Sequence, residues 1–431
     1  MRVRAWLGER RSDGRLRGFA ALAVLGTLLA GLGFAGCGRA LPLEAAAASS
    51  CAPAWTTGWH AAQQAVPGDQ LAGRTLRMVI RPQASGDEVR LRLSHRHGDG
   101  PLRIGAVTLG RAGEPAALDD DPVPVHVGGS PSAVLEPGAE VLTDPLPRAV
   151  RAGEPLTVSL YLVEVPPTIS SHPVAMRTAW LSGPGDRTGD RGPGGFGTTL
   201  QSWPVLSGLE VLAPRPDGAL LVIGDSLVDG VGSTPDGDDR FPDQLATRLA
   251  ELGGDRSMTV LNAGLSRNRL LDDDPPAGGD APLSRFDADV ARVAGVRDVL
   301  LLIGTNDLAA GADGDDLVDG LAAFTDRARS AGLRVFLATI PPSASGGRSG
   351  PDAVAAREHV NTWLRTEGAQ RADGVVDAAA VLADPDDPER LWAGHDSGDG
   401  LHPAPEGYRV LAAAVPAAEL SGSPCRTSTA G

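Results

Sequence analysis

The hydrophobic rhythm of the chain changes partway along its length. From Ala54 to about Arg215, short stretches such as TLRMVIRP, EVRLRLSHR, PLRIGAVTLG and PLTVSLYLVEV alternate apolar and polar positions and are separated by Gly, Pro and Asp. A period of two over short runs bounded by turn formers predicts strands, and their spacing is that of an all-β sandwich. The turn-rich stretch Ser182–Gly197 is expected to be a long loop within or beside it. From Ala219 onward the pattern differs. Unbroken apolar runs, Ala219–Ile223 and LLLIG from Leu300, predict strands covered on both faces. They alternate with PDQLATRLAEL and GLAAFTDRARSAG, whose apolar positions recur at helical spacing. Strands alternating with helices predict an α/β fold with a parallel sheet flanked by helices. The expected organisation is therefore a β-sandwich domain over 51–215 and an α/β domain over 216–425, with 1–50 outside both. No fixed-period repeat occurs in either half.

The first of the buried runs ends on Gly224-Asp225-Ser226. A sharp turn at Gly224 places Ser226 at the carboxyl end of the strand, where open α/β sheets gather their sites. A serine hydroxyl is a poor nucleophile at neutral pH and needs an adjacent base to take its proton as it attacks an ester carbonyl. His402 is the natural base, because its side chain titrates nearest to neutrality. Asp399, three residues earlier, can accept from the far imidazole nitrogen and fix the tautomer. Taken singly these residues have plainer readings: Asn306 with Asp307 as an Asx-type turn, and Asp399, Gly400 and Pro403 as ordinary turn formers. Their weight comes from order, since GDS is followed by VLNAGLSRNRLL from Val260, LLLIGTNDL from Leu300 and DSGDGLHP from Asp396.

These four blocks resemble the SGNH or GDSL-type hydrolase family. The stretch from Trp55 to Val415 resembles secreted bacterial members that open on Trp-x-x-x-Trp, here Trp55 and Trp59, followed by a β-domain; RFPDQLA, LSRFDADV and REHVNTWLR match as well. The resemblance implies an SGNH-type parallel sheet preceded by an all-β sandwich. It implies a serine esterase that hydrolyses carboxylic esters through an acyl-enzyme, with no cofactor and no metal. Small esters or acylated carbohydrates, acetyl esters among them, are the implied substrates. By the same resemblance Ser226 is the nucleophile, His402 the base and Asp399 its orienting acid. The oxyanion donors are the Ser226 backbone N–H, the Asn306 side-chain amide and a backbone N–H at the glycine of Asn-x-x-x-x-Gly. Counting from Asn262, Arg267 stands where that glycine belongs. If the loop needs a positive φ there, a non-glycine residue is strained by roughly 1–2 kcal/mol. Gly264 is expected to serve the turn. Two other readings stay open: a lipase or thioesterase for longer acyl chains, and a non-catalytic cell-surface polysaccharide-binding protein with a degenerate site.

Composition narrows the partners. A formal net charge of −15 over 431 residues argues against nucleic acid, whose phosphates demand a basic face. No lysine occurs, so arginine supplies every basic side chain apart from histidine. The Asp-rich stretches 236–239 and 272–274 read as solvated surface and lack the spaced oxygen ligands of a calcium loop. His95, His97, His126 and His172 show no metal-ligand spacing, and His395 reads as a loop residue. Trp55 and Trp59 are expected to fill core, Asp225 to bond backbone around the turn, and Arg285 to pair with Asp287 or Asp289. Arg10, Arg11, Arg15 and Arg17 precede the apolar run Phe19–Gly36, the order of an export signal. Phe-Ala-Gly-Cys resembles a bacterial lipobox with Cys37 lipidated; conventional cleavage near Ala40 or within Ala45–Ala48, or a retained anchor, are the competing outcomes. The expected location is outside the cell or on the outer face of the cell membrane, attached through lipidated Cys37. Cys51 and Cys425 then remain at the two ends of the mature chain, and a disulfide between them is expected.

Overall fold

The computed structural model of the protein describes residues 51–274, 277–423 and 425; the expected export signal and Cys37 lie outside that range. The described residues belong to one compact unit. Its amino-terminal part is a set of antiparallel sheets. A four-stranded sheet runs in the order Ala54–His60, Leu206–Ala213, Val89–His95, Ala139–Leu142. An eight-stranded sheet is built around Arg74–Ile80, Leu156–Glu164 and Leu102–Gly113. Alternate side chains of both sheets, among them Leu91, Leu93 and Leu209 from the first and Leu76, Met78, Val158 and Leu160 from the second, meet in one core. This is the physical outcome of the period of two in the sequence. The stretch Ser182–Gly197 is less loop than expected: its ends fall in the strands Ala179–Pro184 and Phe196–Leu200, which pair antiparallel, leaving 185–195 as the connection. A three-stranded sheet, Trp203–Pro204, Thr168–His172, Gln64–Pro67, completes this part.

The carboxyl-terminal part is a five-stranded parallel sheet in the order Thr259–Gly264, Ala219–Gly224, Val296–Leu302, Arg334–Ala338, Gly374–Val376. Its strands are mostly apolar because both faces are covered. Leu221, Ile223, Val299 and Leu301 pack with the helices Gly314–Ser330 and Pro351–Trp363 on one side. Leu220, Val222, Leu300 and Leu302 pack with Phe241–Leu252 and Pro405–Ala414 on the other. Chain order reverses between the strands Ala219–Gly224 and Val296–Leu302. In an open parallel sheet, the crevice beyond the carboxyl ends of two such strands is where ligands bind. Cys51 and Cys425 form a disulfide, Cα to Cα 5.2 Å, across a sequence separation of 374. Among the described residues no helix is long and apolar enough to cross a membrane.

Candidate active site at the switch point

Ser226 opens the one-turn helix Ser226–Asp229 at the carboxyl end of its strand. Asp225 caps that turn, its Oδ1 accepting from the Leu227 N–H at 3.0 Å. Gly224 is required by close approach rather than by an unusual φ, since a Cβ there would fall 2.0 Å from the Leu302 carbonyl oxygen on the neighbouring strand. The Ser226 hydroxyl lies 2.8 Å from His402 Nε2, and His402 Nδ1 lies 2.6 Å from Asp399 Oδ2. The other Asp399 oxygen accepts from the backbone N–H groups of Leu401 at 2.9 Å and His402 at 2.8 Å. Burial alone would raise the Asp399 carboxyl, but these N–H groups and the imidazole outweigh it and hold the acid below its usual range. An ionised Asp399 fixes a hydrogen on Nδ1 and leaves Nε2 free to accept from Ser226. The loop is itself braced: Asp396 Oδ1 accepts from Gly398 and Gly400, and the Gly400 carbonyl accepts from Ser343 Oγ and Ala344 N–H.

The second and third blocks converge on the same end of the sheet. Asn306, in the first turn of Thr305–Ala309, donates through Nδ2 to the Asn268 carbonyl at 3.0 Å. Arg267, one residue before, is exposed and left-handed at φ 68°, so the strain anticipated at that position is present. Both of its neighbours are anchored. The Ser266 N–H and hydroxyl donate to Asp229 Oδ2 at 2.8 and 2.5 Å, and the buried Asn268 amide donates to the carbonyls of Gly278 and Asp280. Asp307 does more than a local turn, its two oxygens accepting from the backbone N–H groups of Leu270 and Leu271. Gly264 is not a turn residue either. It ends a strand, and a Cβ there would fall 2.2 Å from the Asp229 backbone nitrogen.

Three supporting residues escaped sequence reasoning in whole or in part. Arg285, buried, pairs with Asp289 as one of its two anticipated partners. It also donates to the carbonyls of Ala263 and Gly224 and to Asn268 Oδ1, tying together the ends of the two strands that carry the first two blocks. His172, on a strand of the β-region, reaches Asp229 Oδ1 at 2.9 Å and packs its ring on Trp203. Arg348 donates to Asn306 Oδ1 at 2.6 Å. Apart from the Arg285–Asp289 pair, none of these contacts has a local signal, because each joins residues remote in sequence whose proximity exists only after folding.

The remaining candidates have structural partners. Trp59 is core, edge-on to Trp203, while half-buried Trp55 lies under the Arg90 guanidinium. His95 Nε2 bonds the Gly100 carbonyl, and His395 is buried edge-on to Trp392. The aspartates of 236–239 and 272–274 bond to protein groups: Asp236 to Thr178, Asp238 to Arg81, Asp239 to the Thr234 N–H, Asp272 to Arg269, Asp273 to Ala281 and Ser284. No cluster of three or more His, Cys, Asp or Glu that could hold a metal occurs among the described residues.

Residues 222–410, which span all four blocks, match the family model of the GDSL-like lipase/acylhydrolases. The chain therefore carries a GDSL-like lipase/acylhydrolase domain. It is similar to the solved structure of the native aryl esterase of M. smegmatis, at 22% identity and a TM-score of 0.37, over 46% of this chain and 96% of that one. It is also similar to a GDSL-like lipase from Bacteroides thetaiotaomicron (20%, TM-score 0.36, 47% and 87%). A third is Est24, a carbohydrate acetylesterase from Sinorhizobium meliloti (16%, TM-score 0.36, 46% and 96%). No curated protein matches the sequence.

Proposed function

We propose that the protein is an exported serine esterase that hydrolyses carboxylic esters, acylated carbohydrates among them, through an acyl-enzyme. The observation that supports this most is the unbroken chain from the Ser226 hydroxyl through His402 to Asp399 at the switch point of a parallel sheet. Ser226 attacks the ester carbonyl as His402 Nε2 takes its proton. The Ser226 backbone N–H, the Arg267 backbone N–H and Asn306 Nδ2 receive the charge on the carbonyl oxygen. The tetrahedral intermediate collapses with return of that proton to the leaving alcohol, and water attacks the acyl-enzyme by the same path in reverse. The Asp399 side chain is 50% exposed and that of His402 14%, so the site opens at the surface, as a bulky alcohol portion such as a sugar requires. Export rests on the basic-then-apolar order before Cys37, with lipidation of that residue as the proposed attachment.

Hydrolysis of a p-nitrophenyl ester series from acetate upward by the purified mature protein tests the activity and reads the acyl preference directly. Ser226→Ala and His402→Ala are each expected to lower kcat by at least about a thousandfold with the fold intact, and Asp399→Ala by less, because the base remains while its orientation is lost. Wild-type turnover by Ser226→Ala would remove the mechanism.

A further inference from the structure

The Asn306 amide stands between two groups of opposite hydrogen-bonding character. Arg348, in the short turn Gly346–Ser349, donates through Nη2 to Asn306 Oδ1 at 2.6 Å and through Nε to Thr305 Oγ1 at 3.1 Å. On the other side the Asn268 carbonyl accepts from Asn306 Nδ2 at 3.0 Å. A guanidinium can only donate and a carbonyl can only accept, so one orientation of the amide satisfies both. Rotating it by half a turn would set donor against donor and acceptor against acceptor. The Asn268 carbonyl uses one Nδ2 hydrogen, which leaves the second for a ligand.

Charge is the second observation. The guanidinium is half-buried and makes no carboxylate contact within ion-pair distance among the described residues. The carboxylates whose fields reach it are those of Asp225, next to Ser226, and Asp399, beside His402. It is thus a cation without a directly paired anion, placed against the amide that faces the developing oxyanion.

We propose that Arg348 is a positioning residue for the oxyanion site: it fixes the Asn306 amide with its free N–H toward the Ser226 ester and adds positive potential where negative charge forms. The proposal rests on the esterase reading above. Its action through Asn306 predicts an effect on turnover rather than on substrate binding, because the oxyanion exists only in the transition state and the intermediate.

The test is steady-state hydrolysis of p-nitrophenyl acetate by the full mature chain. Arg348→Ala and the longer apolar Arg348→Met are each expected to lower kcat about ten- to a hundredfold with KM within about threefold, at unchanged circular dichroism and with a thermal midpoint above assay temperature. Arg348→Lys should recover part of the loss. In an Asn306→Ala background, Arg348→Ala should cost clearly less than in the wild type, no more than about threefold, because the amide it orients is gone and only its field remains. Unchanged kcat in both single variants, a raised KM with kcat retained, or full additivity with Asn306→Ala would each overturn the positioning role while leaving the nucleophile assignment standing. An inert wild type, or a Ser226→Ala variant as active as wild type, would instead remove the esterase reading and this inference with it.

Discussion

At the scale of single residues, the site departs from ordinary backbone and ordinary titration at two places. Arg267 is held at φ 68° by anchors on both sides, a conformation that costs a residue with a Cβ roughly 1–2 kcal/mol. In the proposed mechanism the oxyanion donor there is a main-chain N–H, so the side chain is dispensable to the hole. Arg267→Gly is therefore expected to retain or raise kcat on short acyl esters and to leave the unfolding midpoint near wild type, relief of strain being offset by the freer unfolded chain. A higher KM in that variant, measured with an ester bearing a carboxylate, would instead mark the guanidinium as a substrate contact. Asp225 is the second place. Burial pushes its carboxyl up to about 7, reinforced by the carboxylates of Asp307 and Asp229 and opposed by the Leu227 N–H and Arg348. A folded-state pKa above the unfolded value means that the folded protein holds the extra proton between about pH 4 and 7, so this group's contribution to stability falls as pH rises through that window. Asp225→Asn keeps the acceptor for Leu227 and cannot ionise. It should match wild type near pH 4 and exceed it above pH 7 by up to about 4 kcal/mol, read from urea unfolding at the two pH values. An equal pH dependence in the two proteins would show that Asp225 does not carry that proton.

At the scale of elements, what was legible in the sequence was whatever a single element carries by itself. The apolar run Ala219–Ile223 signals a doubly covered strand, and the residues just past its end can be named from that run; Ser226 is found in this way, and Asn306 past the run from Leu300, whereas Asp399 and His402 are read from the DSGDGLHP block and its place after the others. Contacts between elements leave no such trace. His172 reads as one of several unremarkable histidines, yet its strand, Thr168–His172, carries it to Asp229 on the turn that bears the nucleophile. The other Asp229 oxygen holds Ser266, the residue before Arg267. The β-region thus reaches the loop that carries Arg267 through one buried carboxylate. The two ring nitrogens of His172 also lie at 2.9 and 3.1 Å from the carbonyls of Ala62 and Val174, so removing the imidazole leaves buried polar groups without it, a loss of about 1–3 kcal/mol. His172→Ala is expected to lower the thermal midpoint and to reduce kcat on p-nitrophenyl acetate by about tenfold, as the loop carrying the Arg267 N–H loosens. His172→Gln, which can still donate, should recover much of both, and His126→Ala, at an exposed position, should change neither. Turnover by His172→Ala equal to wild type would confine the His172–Asp229 contact to stability.

At the scale of the whole molecule, the two textures read from the sequence fold as one compact unit, and its carboxyl-terminal segment is held twice over. Beside the Cys51–Cys425 disulfide, the Ser423 N–H donates to the Asp255 carbonyl, and Ser421 bonds Asp298 through both its N–H and its hydroxyl. These bonds anchor the carboxyl-terminal segment to the α/β part independently of the cross-link, so losing the disulfide should leave the native geometry in place. Its thermodynamic effect then falls on the unfolded chain, where closing a loop of 374 residues removes entropy worth on the order of 5 kcal/mol in the loop-closure view. The candidate site lies at the far ends of the parallel strands from these anchors: Asp298 is near the start of the strand Val296–Leu302, whereas Asn306 follows its end. Cys51→Ser/Cys425→Ser is accordingly expected to keep wild-type kcat and KM at 25 °C while unfolding at markedly lower urea concentration, with a slope at least as steep because the unfolded state is less compact. Reduction of the wild-type protein should reproduce the same shift. If the double variant lost turnover without losing stability, the disulfide would be acting on the native site across the sheet, and the independence of the two strand ends would be wrong.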